Sequence, residues 1–89
     1  MKLLLTAEAE RDLDTIKPPA KEQILHTLAL LKDFPKMGHE MVLTYKGFRC
    51  FVASQGRYKI IYKLFKSEII VYYIRHSSRQ TGLRIVRHD

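Results

Sequence analysis

Cysteine and tryptophan are scarce or missing in this 89-residue chain, which has Cys50 as its one cysteine and no tryptophan. A single cysteine excludes an internal disulfide framework and a multi-thiolate metal site, and it fits a reducing compartment. The four histidines, His26, His39, His76 and His88, show no paired spacing. We therefore expect no metal ion and no cofactor.

Long apolar runs and linker-like stretches are missing as well. The opening MKLLLTAEAE turns acidic directly after its leucines, so it is too short for a secretory signal or a membrane span. No stretch rich in glycine, serine or proline divides the chain. We expect one domain over residues 1–89, no membrane association and a cytoplasmic location.

Acidic residues are few in the C-terminal half. From Lys46 onward the chain has ten Lys or Arg and only two acids, Glu68 and Asp89, and the whole chain carries a formal charge of +7. Concentrated positive charge favours polyanions or an acidic protein as partners.

Two helices are predicted after a short apolar segment, Lys2–Leu5, which suits an edge strand. Thr6 is a good N-cap for a first helix running to about Lys17, where Pro18 and Pro19 stop the pattern. A second helix is predicted from Ala20 to the break at Pro35. Its broad apolar face comprises Ile24, Leu25, Leu28, Leu31 and Phe34.

Beyond Met41 the apolar period changes to two, which predicts strands at about Val42–Ala53, Arg57–Phe65 and Ile69–His76, followed by a basic tail. The predicted fold class is therefore α+β: an N-terminal strand and an αα-hairpin packed on an antiparallel β-meander.

The register of the first hairpin decides which side chains share a face. The segment SQG suits a three-residue turn with Gly56 in the left-handed bulge position, which sets Phe51 opposite Lys59. A two-residue turn would instead set Arg49 opposite Tyr62 on the helix-packed face, where an unpaired guanidinium is costly. The preferred register collects one mixed face: Arg49, Phe51, Arg57, Lys59, Ile61, Lys63, Tyr72, Ile74 and His76.

That mixture of cations and apolar side chains favours a binding face, and a solvated basic surface is the alternative. RNA cleavage through a 2′-hydroxyl requires a proton acceptor, an acid and cations for the phosphate, but no metal. His76 has a side chain suited to proton transfer, Lys59 lies on its predicted face, and Arg79 follows three residues later.

The order of these elements resembles the RelE/ParE family of toxins from bacterial type II toxin-antitoxin modules. The resemblance rests on LTAEAERDLDTI, PKMGHEM, YKGFRCFVASQGRYKIIYKL and IIVYYIRHSSRQ, and covers nearly the whole chain. The ending His76, Arg79, Gln80 is more similar to the ParE branch, which implies inhibition of DNA gyrase.

The RelE branch implies the alternative, ribosome-dependent cleavage of mRNA. Lys59 and Arg79 then fall where that branch has catalytic Arg or Lys. No aromatic residue follows Tyr73, so the C-terminal tyrosine expected of a nuclease of this family is missing.

Either branch implies an acidic, partly disordered antitoxin as partner, with DNA gyrase or, alternatively, the ribosome and mRNA as target. A second alternative is a non-toxic basic RNA-binding module. The residues expected to contact the antitoxin or the target are Arg49, Phe51, Arg57, Lys59, Ile61, Tyr72, Leu83, Arg84 and Arg87.

Expression of this chain without its antitoxin should arrest bacterial growth, because the concentrated positive face would then be free to engage its target. Co-expression of the acidic antitoxin from the adjacent gene should restore growth. Growth curves with separately inducible genes measure both effects, and normal growth at high soluble levels of the chain alone would contradict the prediction.

Overall fold

The computed structural model describes residues 1–78, which form two helices and a five-stranded sheet. The α-helices are α1 and α2, the strands are β1 to β5, and a short 3₁₀ turn spans Leu43–Tyr45. In chain order the elements are β1 (Lys2–Leu5), α1 (Ala7–Asp14), α2 (Ala20–Asp33), β2 (His39–Glu40), β3 (Arg49–Ala53), β4 (Tyr58–Leu64) and β5 (Glu68–His76). No helix within residues 1–78 has the length and apolar character needed to cross a membrane.

Helix α1 begins as the sequence predicts. The Thr6 side-chain oxygen accepts a hydrogen bond from the backbone N–H of Ala9 at 3.1 Å, which satisfies one of the free donors of the first turn. The helix ends at Asp14, three residues earlier than predicted. Ile16 is nevertheless buried, because a tight turn from Leu13 carries it back onto the core.

Helix α2 packs through a narrower face than its sequence suggests. Ile24, Leu28 and Leu31 are buried at the spacing of one helical stripe. Leu25 and Phe34 were expected on the same face, but they are 46% and 60% exposed. Leu25 lies a quarter turn away from the stripe, and Phe34 follows the last helical residue, where the helical period no longer applies.

The sheet has strand order β1-β5-β4-β3-β2, with β1 parallel to β5 and the other pairs antiparallel. Both helices pack on one face of this sheet, where they enclose the hydrophobic core. The strands contribute to that core Ala53, Ile60, Tyr62, Ile69, Val71 and Ile74. The α+β fold class predicted from the sequence is therefore confirmed.

The strand predicted from Val42 is wrong over its first half, because β3 begins only at Arg49. Leu43 and Gly47 both have positive φ angles, 59° and 97°, which an extended strand does not tolerate. The chain instead forms the short strand β2, then the 3₁₀ turn, before it enters β3.

The predicted register of the β3–β4 hairpin is also wrong. Arg49 pairs with Tyr62 and Phe51 with Ile60, one position away from the prediction. The connecting loop spans residues 54–57, with positive φ at Ser54, Gln55 and Gly56. Only the left-handed conformation of Gly56 was expected.

This register holds because the Arg49 guanidinium is not left unpaired. Its Nε donates to the carbonyl oxygen of Gly38 at 3.0 Å, and Nη2 donates to the carbonyl oxygen of Lys36 at 3.2 Å. A third nitrogen, Nη1, lies 3.4 Å from the Glu40 carboxylate. Backbone carbonyls of the α2–β2 loop thus offset the cost of desolvating the Arg49 guanidinium in this register.

Tyr62 holds the same loop from the neighbouring strand. Its fully buried hydroxyl donates to the carbonyl oxygen of Pro35 at 2.8 Å and accepts from the Gly38 N–H at 3.0 Å. Gly38 fits closely there, since a Cβ on it would lie 2.5 Å from the tyrosine oxygen. Arg49 and Tyr62 together form what we call the loop clamp.

A β-bulge in β5 shifts the second hairpin. Leu64 pairs with Ile69 as predicted, but between Tyr62 and Ile61 the register slips by one, so Tyr72 has no partner on β4. Beyond the bulge Lys59 pairs with Arg75 and His76 with Tyr58, where the prediction had Ile74 and Arg57 as the partners. The slip places Ile74, which is 2% exposed, in the helix-packed core.

Replacing Tyr62 with Phe should destabilise the fold by about 1–3 kcal/mol, because the buried Gly38 N–H and Pro35 carbonyl lose their partner. Urea unfolding measures the change. Tyr73→Phe is the matched control, since Tyr73 is only half buried and lies on the opposite sheet face. Equal free energies of unfolding for the two variants would contradict the stabilising role of the Tyr62 hydroxyl in the loop clamp.

Candidate partner-binding face

The sheet face opposite the two helices carries the candidate site, and we call it the outer face. Cross-strand partners project to the same side of a sheet, and successive residues project to opposite sides. Since Ile60 and Tyr62 point to the helices, Lys59, Ile61 and Lys63 point away from them. The outer face comprises Phe48, Cys50, Val52, Lys59, Ile61, Lys63, Ile70, Tyr72, Tyr73 and Arg75.

The structure brings together only part of the predicted mixed face. Lys59, Ile61, Lys63 and Tyr72 lie on the outer face. Four other members, Arg49, Phe51, Ile74 and His76, belong instead to the helix side of the sheet. Arg57 lies in the β3–β4 loop and is exposed. The corrected register and the bulge account for this division.

Lys63 is held by aromatic rings on the outer face. Its Nζ atom lies 4.5 Å from the centroid of the Phe48 ring and 5.9 Å from that of Tyr72. The two rings meet edge to face at 5.1 Å, and Tyr45 packs edge to face on Phe48 at 5.9 Å. Attraction to the ring faces fixes the ammonium group in one place.

The arginine on this face is already matched by acids. The Arg75 guanidinium donates to Asp12 Oδ2 at 3.1 Å and also pairs with Glu8, both on α1. The Asp12 oxygen additionally accepts the backbone N–H of Ile74 at 3.0 Å. Lys59, the cross-strand partner of Arg75, has no acid within ion-pair distance among residues 1–78.

Cys50 lies beneath this surface and is buried. Burial raises the pKa of its thiol, and the nearby Lys59 ammonium acts in the opposite direction with a smaller effect. The thiol therefore stays protonated at neutral pH, which argues against a nucleophilic role.

His76 lies at the end of β5, exposed and apart from Lys59. Its ring packs edge to face on Tyr58 with centroids 5.1 Å apart. The Ser78 N–H donates to Nδ1 at 3.1 Å, so the neutral imidazole carries its proton on Nε2. His76 and Lys59 belong to adjacent cross-strand rows and project to opposite sheet faces.

Four predicted site residues, Arg79, Leu83, Arg84 and Arg87, lie outside the described residues. The sequence prediction missed the role of Phe48, because the predicted register placed it with Cys50 and Val52 on the helix-packed face. Its alternation with Cys50 and Val52 was the available signal. Some cations of the sheet are paired with acids and others are not. Local sequence patterns do not reveal this difference, because the acids lie on distant elements: Glu8 and Asp12 on α1 pair with Arg75, and Glu40 on β2 pairs with Arg49.

Several solved structures from bacterial toxin-antitoxin systems share this fold. The toxin-antitoxin complex RelBE2 from Mycobacterium tuberculosis is similar with a TM-score of 0.75 and 19% identity, over 84% of this chain and 95% of that one. The chromosomal ParDE system of P. aeruginosa is similar with a TM-score of 0.69 and 20% identity, over 85% of this chain and 95% of that one. The intact E. coli RelBE complex is similar with a TM-score of 0.73 and 12% identity, over 88% of this chain and 98% of that one. These likenesses define the fold class.

The amino-acid sequence also matches one particular family of toxins. The family described as the ParE toxin of the type II toxin-antitoxin system parDE matches residues 3–81. This chain belongs to that family, within the RelE/ParE superfamily, and is a type II toxin-antitoxin toxin. A search among curated proteins finds no significant match. Two of these structures, RelBE2 and E. coli RelBE, are toxin-antitoxin complexes, which supports an antitoxin as the partner of this chain.

Phe51→Asp and Val52→Asp test the sheet faces directly, since the two residues are neighbours that project to opposite sides. Phe51 packs against the core, so a carboxylate there should cost about 2–4 kcal/mol of unfolding free energy. Val52 is 42% exposed, so the same change should cost less than about 1 kcal/mol. Urea unfolding compares them, and the reverse order would restore the register first predicted.

Proposed function

We propose that this toxin arrests growth by inhibiting DNA gyrase and is neutralised by an acidic antitoxin. The family match to ParE supports the proposal, because that branch implies gyrase as the target. The fold alone favours neither branch, since RelE and ParE structures are similarly close to it. Family membership favours a toxin over the non-toxic RNA-binding module considered from the sequence.

The observation that carries the choice of target is the separation of Lys59 from His76. A nuclease must bring its proton-transfer group and its cation to the same phosphate. These two side chains leave the sheet on opposite faces. Neither lines the cleft of about 400 Å³ between α2 and the β3–β4 loop, nor the cleft of about 300 Å³ beside β2.

Inhibition by binding makes no such demand on geometry. A poison that acts by occupancy needs only a surface complementary to its target, with affinity spread over many contacts. We propose that Leu83, Arg84 and Arg87 contact gyrase. The positive charge of the two arginines continues the basic character of the chain beyond Lys46.

Cleavage of mRNA on the ribosome is the second candidate. The exposed position of His76 favours it, because an accessible imidazole is suited to proton transfer. The isolated E. coli RelE toxin also matches 98% of this chain, with a TM-score of 0.73 and 13% identity. In that case Lys59, His76 and Arg79 would act together, on a substrate bound around the end of β5.

The two candidates differ in which residues are indispensable, so purified variants separate them. For a gyrase inhibitor, deletion of residues 83–89 should abolish inhibition of supercoiling, whereas His76→Ala and Lys59→Ala should only reduce potency. For a nuclease, each alanine variant should lower cleavage on programmed ribosomes by about a hundredfold to ten-thousandfold.

Gyrase supercoiling assays and mRNA cleavage on programmed ribosomes, run with the same preparations, give the answer. Lys17→Ala serves as the control, because it removes one exposed charge from the α1–α2 connection, on the helix side of the molecule. Codon-positioned cleavage with unaffected supercoiling would reject gyrase inhibition in favour of the nuclease.

A further inference from the structure

The cations of the sheet fall into two groups. Arg49 lies against Glu40, and Arg75 lies against Glu8 and Asp12. Lys59 and Lys63 lie between these arginines on β4 and have no acid within 4.0 Å among residues 1–78. The positive charge of the outer face is thus unmatched at two outward positions of one strand, on either side of Ile61.

Lys63 is held in place by aromatic rings rather than by an acid, and partial burial restricts Lys59. The Lys63 ammonium rests over Phe48 and beside Tyr72, and Lys59 is half buried between its cross-strand neighbours Val52 and Arg75. Fixing a long side chain in the free protein lowers the entropy lost when an anion binds. The two ammonium groups are therefore prepared for anionic groups of another molecule.

The spacing of the lysines limits what fits them. Lys63 lies four positions after Lys59 on the same strand, so their backbones are about 13 Å apart. Ile61 lies between them but is buried, so the accessible apolar surface beside the lysines belongs to the exposed Val52 and the half-buried Ile70. The complementary surface has two anionic groups about 13 Å apart, with apolar contacts beside them.

We infer that Lys59 and Lys63 receive two carboxylates from a single acidic segment of the antitoxin, which lies along β4 on the outer face. This inference rests on the membership of the chain in a toxin-antitoxin family and does not depend on gyrase as the target. An extended segment would present acids four residues apart, and a helical one would present them seven or eight apart.

The aromatic geometry favours carboxylates over nucleic acid. Bases bind single-strand platforms by stacking on free ring faces. Here Lys63 covers a face of Phe48, and the Tyr45 and Tyr72 rings pack against Phe48 in T-shaped pairs. The C-terminal residues 79–89 of this chain also lack the required charge, since they contain three arginines and one aspartate.

Neutralising substitutions test the two lysines in the complex of this toxin with the antitoxin encoded beside it. Lys63→Met keeps an unbranched apolar side chain over Phe48 and removes only the charge. Lys63→Met and Lys59→Met should each raise the dissociation constant of the toxin-antitoxin complex by about tenfold or more. This is the lower end of the effect expected when one partner of a central charge pair is removed. Lys17→Met removes the same charge from the helix side and should change affinity less than threefold.

Zero-length carbodiimide cross-linking identifies the carboxylates themselves, because it joins a lysine only to an acid in direct contact. Mass spectrometry of the cross-linked complex should link Lys59 and Lys63 to two acids of one antitoxin segment, four or seven to eight residues apart. Links to acids of separate segments, or links only at control lysines, would overturn the inference.

A labelled single-stranded oligonucleotide of twelve thymidines serves as the competing probe. The proposal expects oligonucleotide binding to change equally in the Lys63 and Lys17 variants. If Lys63→Met weakens oligonucleotide binding and leaves antitoxin binding intact, the outer face is a nucleic-acid site and the proposal fails. Thermal unfolding of each variant confirms that the fold is retained, and supercoiling assays report separately on the target.

Discussion

The loop clamp is the interaction on which the arrangement of the sheet depends. Arg49 and Tyr62 are cross-strand partners on the helix side, and both bind the backbone between Pro35 and Glu40. Their polar groups would be costly on an apolar face, but the loop carbonyls and the Gly38 N–H satisfy them. Because β3 and β4 are fixed in this register, Lys59 and Lys63 must project to the outer face.

The order of elements and the α+β class follow from the sequence because they depend on local physics. Thr6 caps a helix, Pro18 and Pro35 limit two helices, and alternating apolar residues mark the later strands. These signals lie within a few residues of the structure they determine. The parallel pairing of β1 with β5 joins opposite ends of the described chain, and no local pattern contains it.

The site was predicted less well because one register error moves every side chain to the other face. For an isolated hairpin, the argument against pairing Arg49 with Tyr62 is sound, because the guanidinium would be left unpaired. It failed because the guanidinium of Arg49 finds carbonyl acceptors 11 and 13 residues earlier in the chain. The bulge at Tyr72 had no sequence signal such as glycine, so the burial of Ile74 was missed too.

Helix α1 also completes the hydrogen bonds of β5 where β1 ends. Thr6 donates its hydroxyl to the Tyr72 carbonyl oxygen, and Asp12 accepts the Ile74 N–H, so side chains replace a neighbouring strand there. The outermost strands in the described sheet, β1 and β2, have four and two residues. Short or covered edges resist pairing with strands of other copies. The sheet of this toxin is thereby protected against edge-to-edge aggregation of free copies.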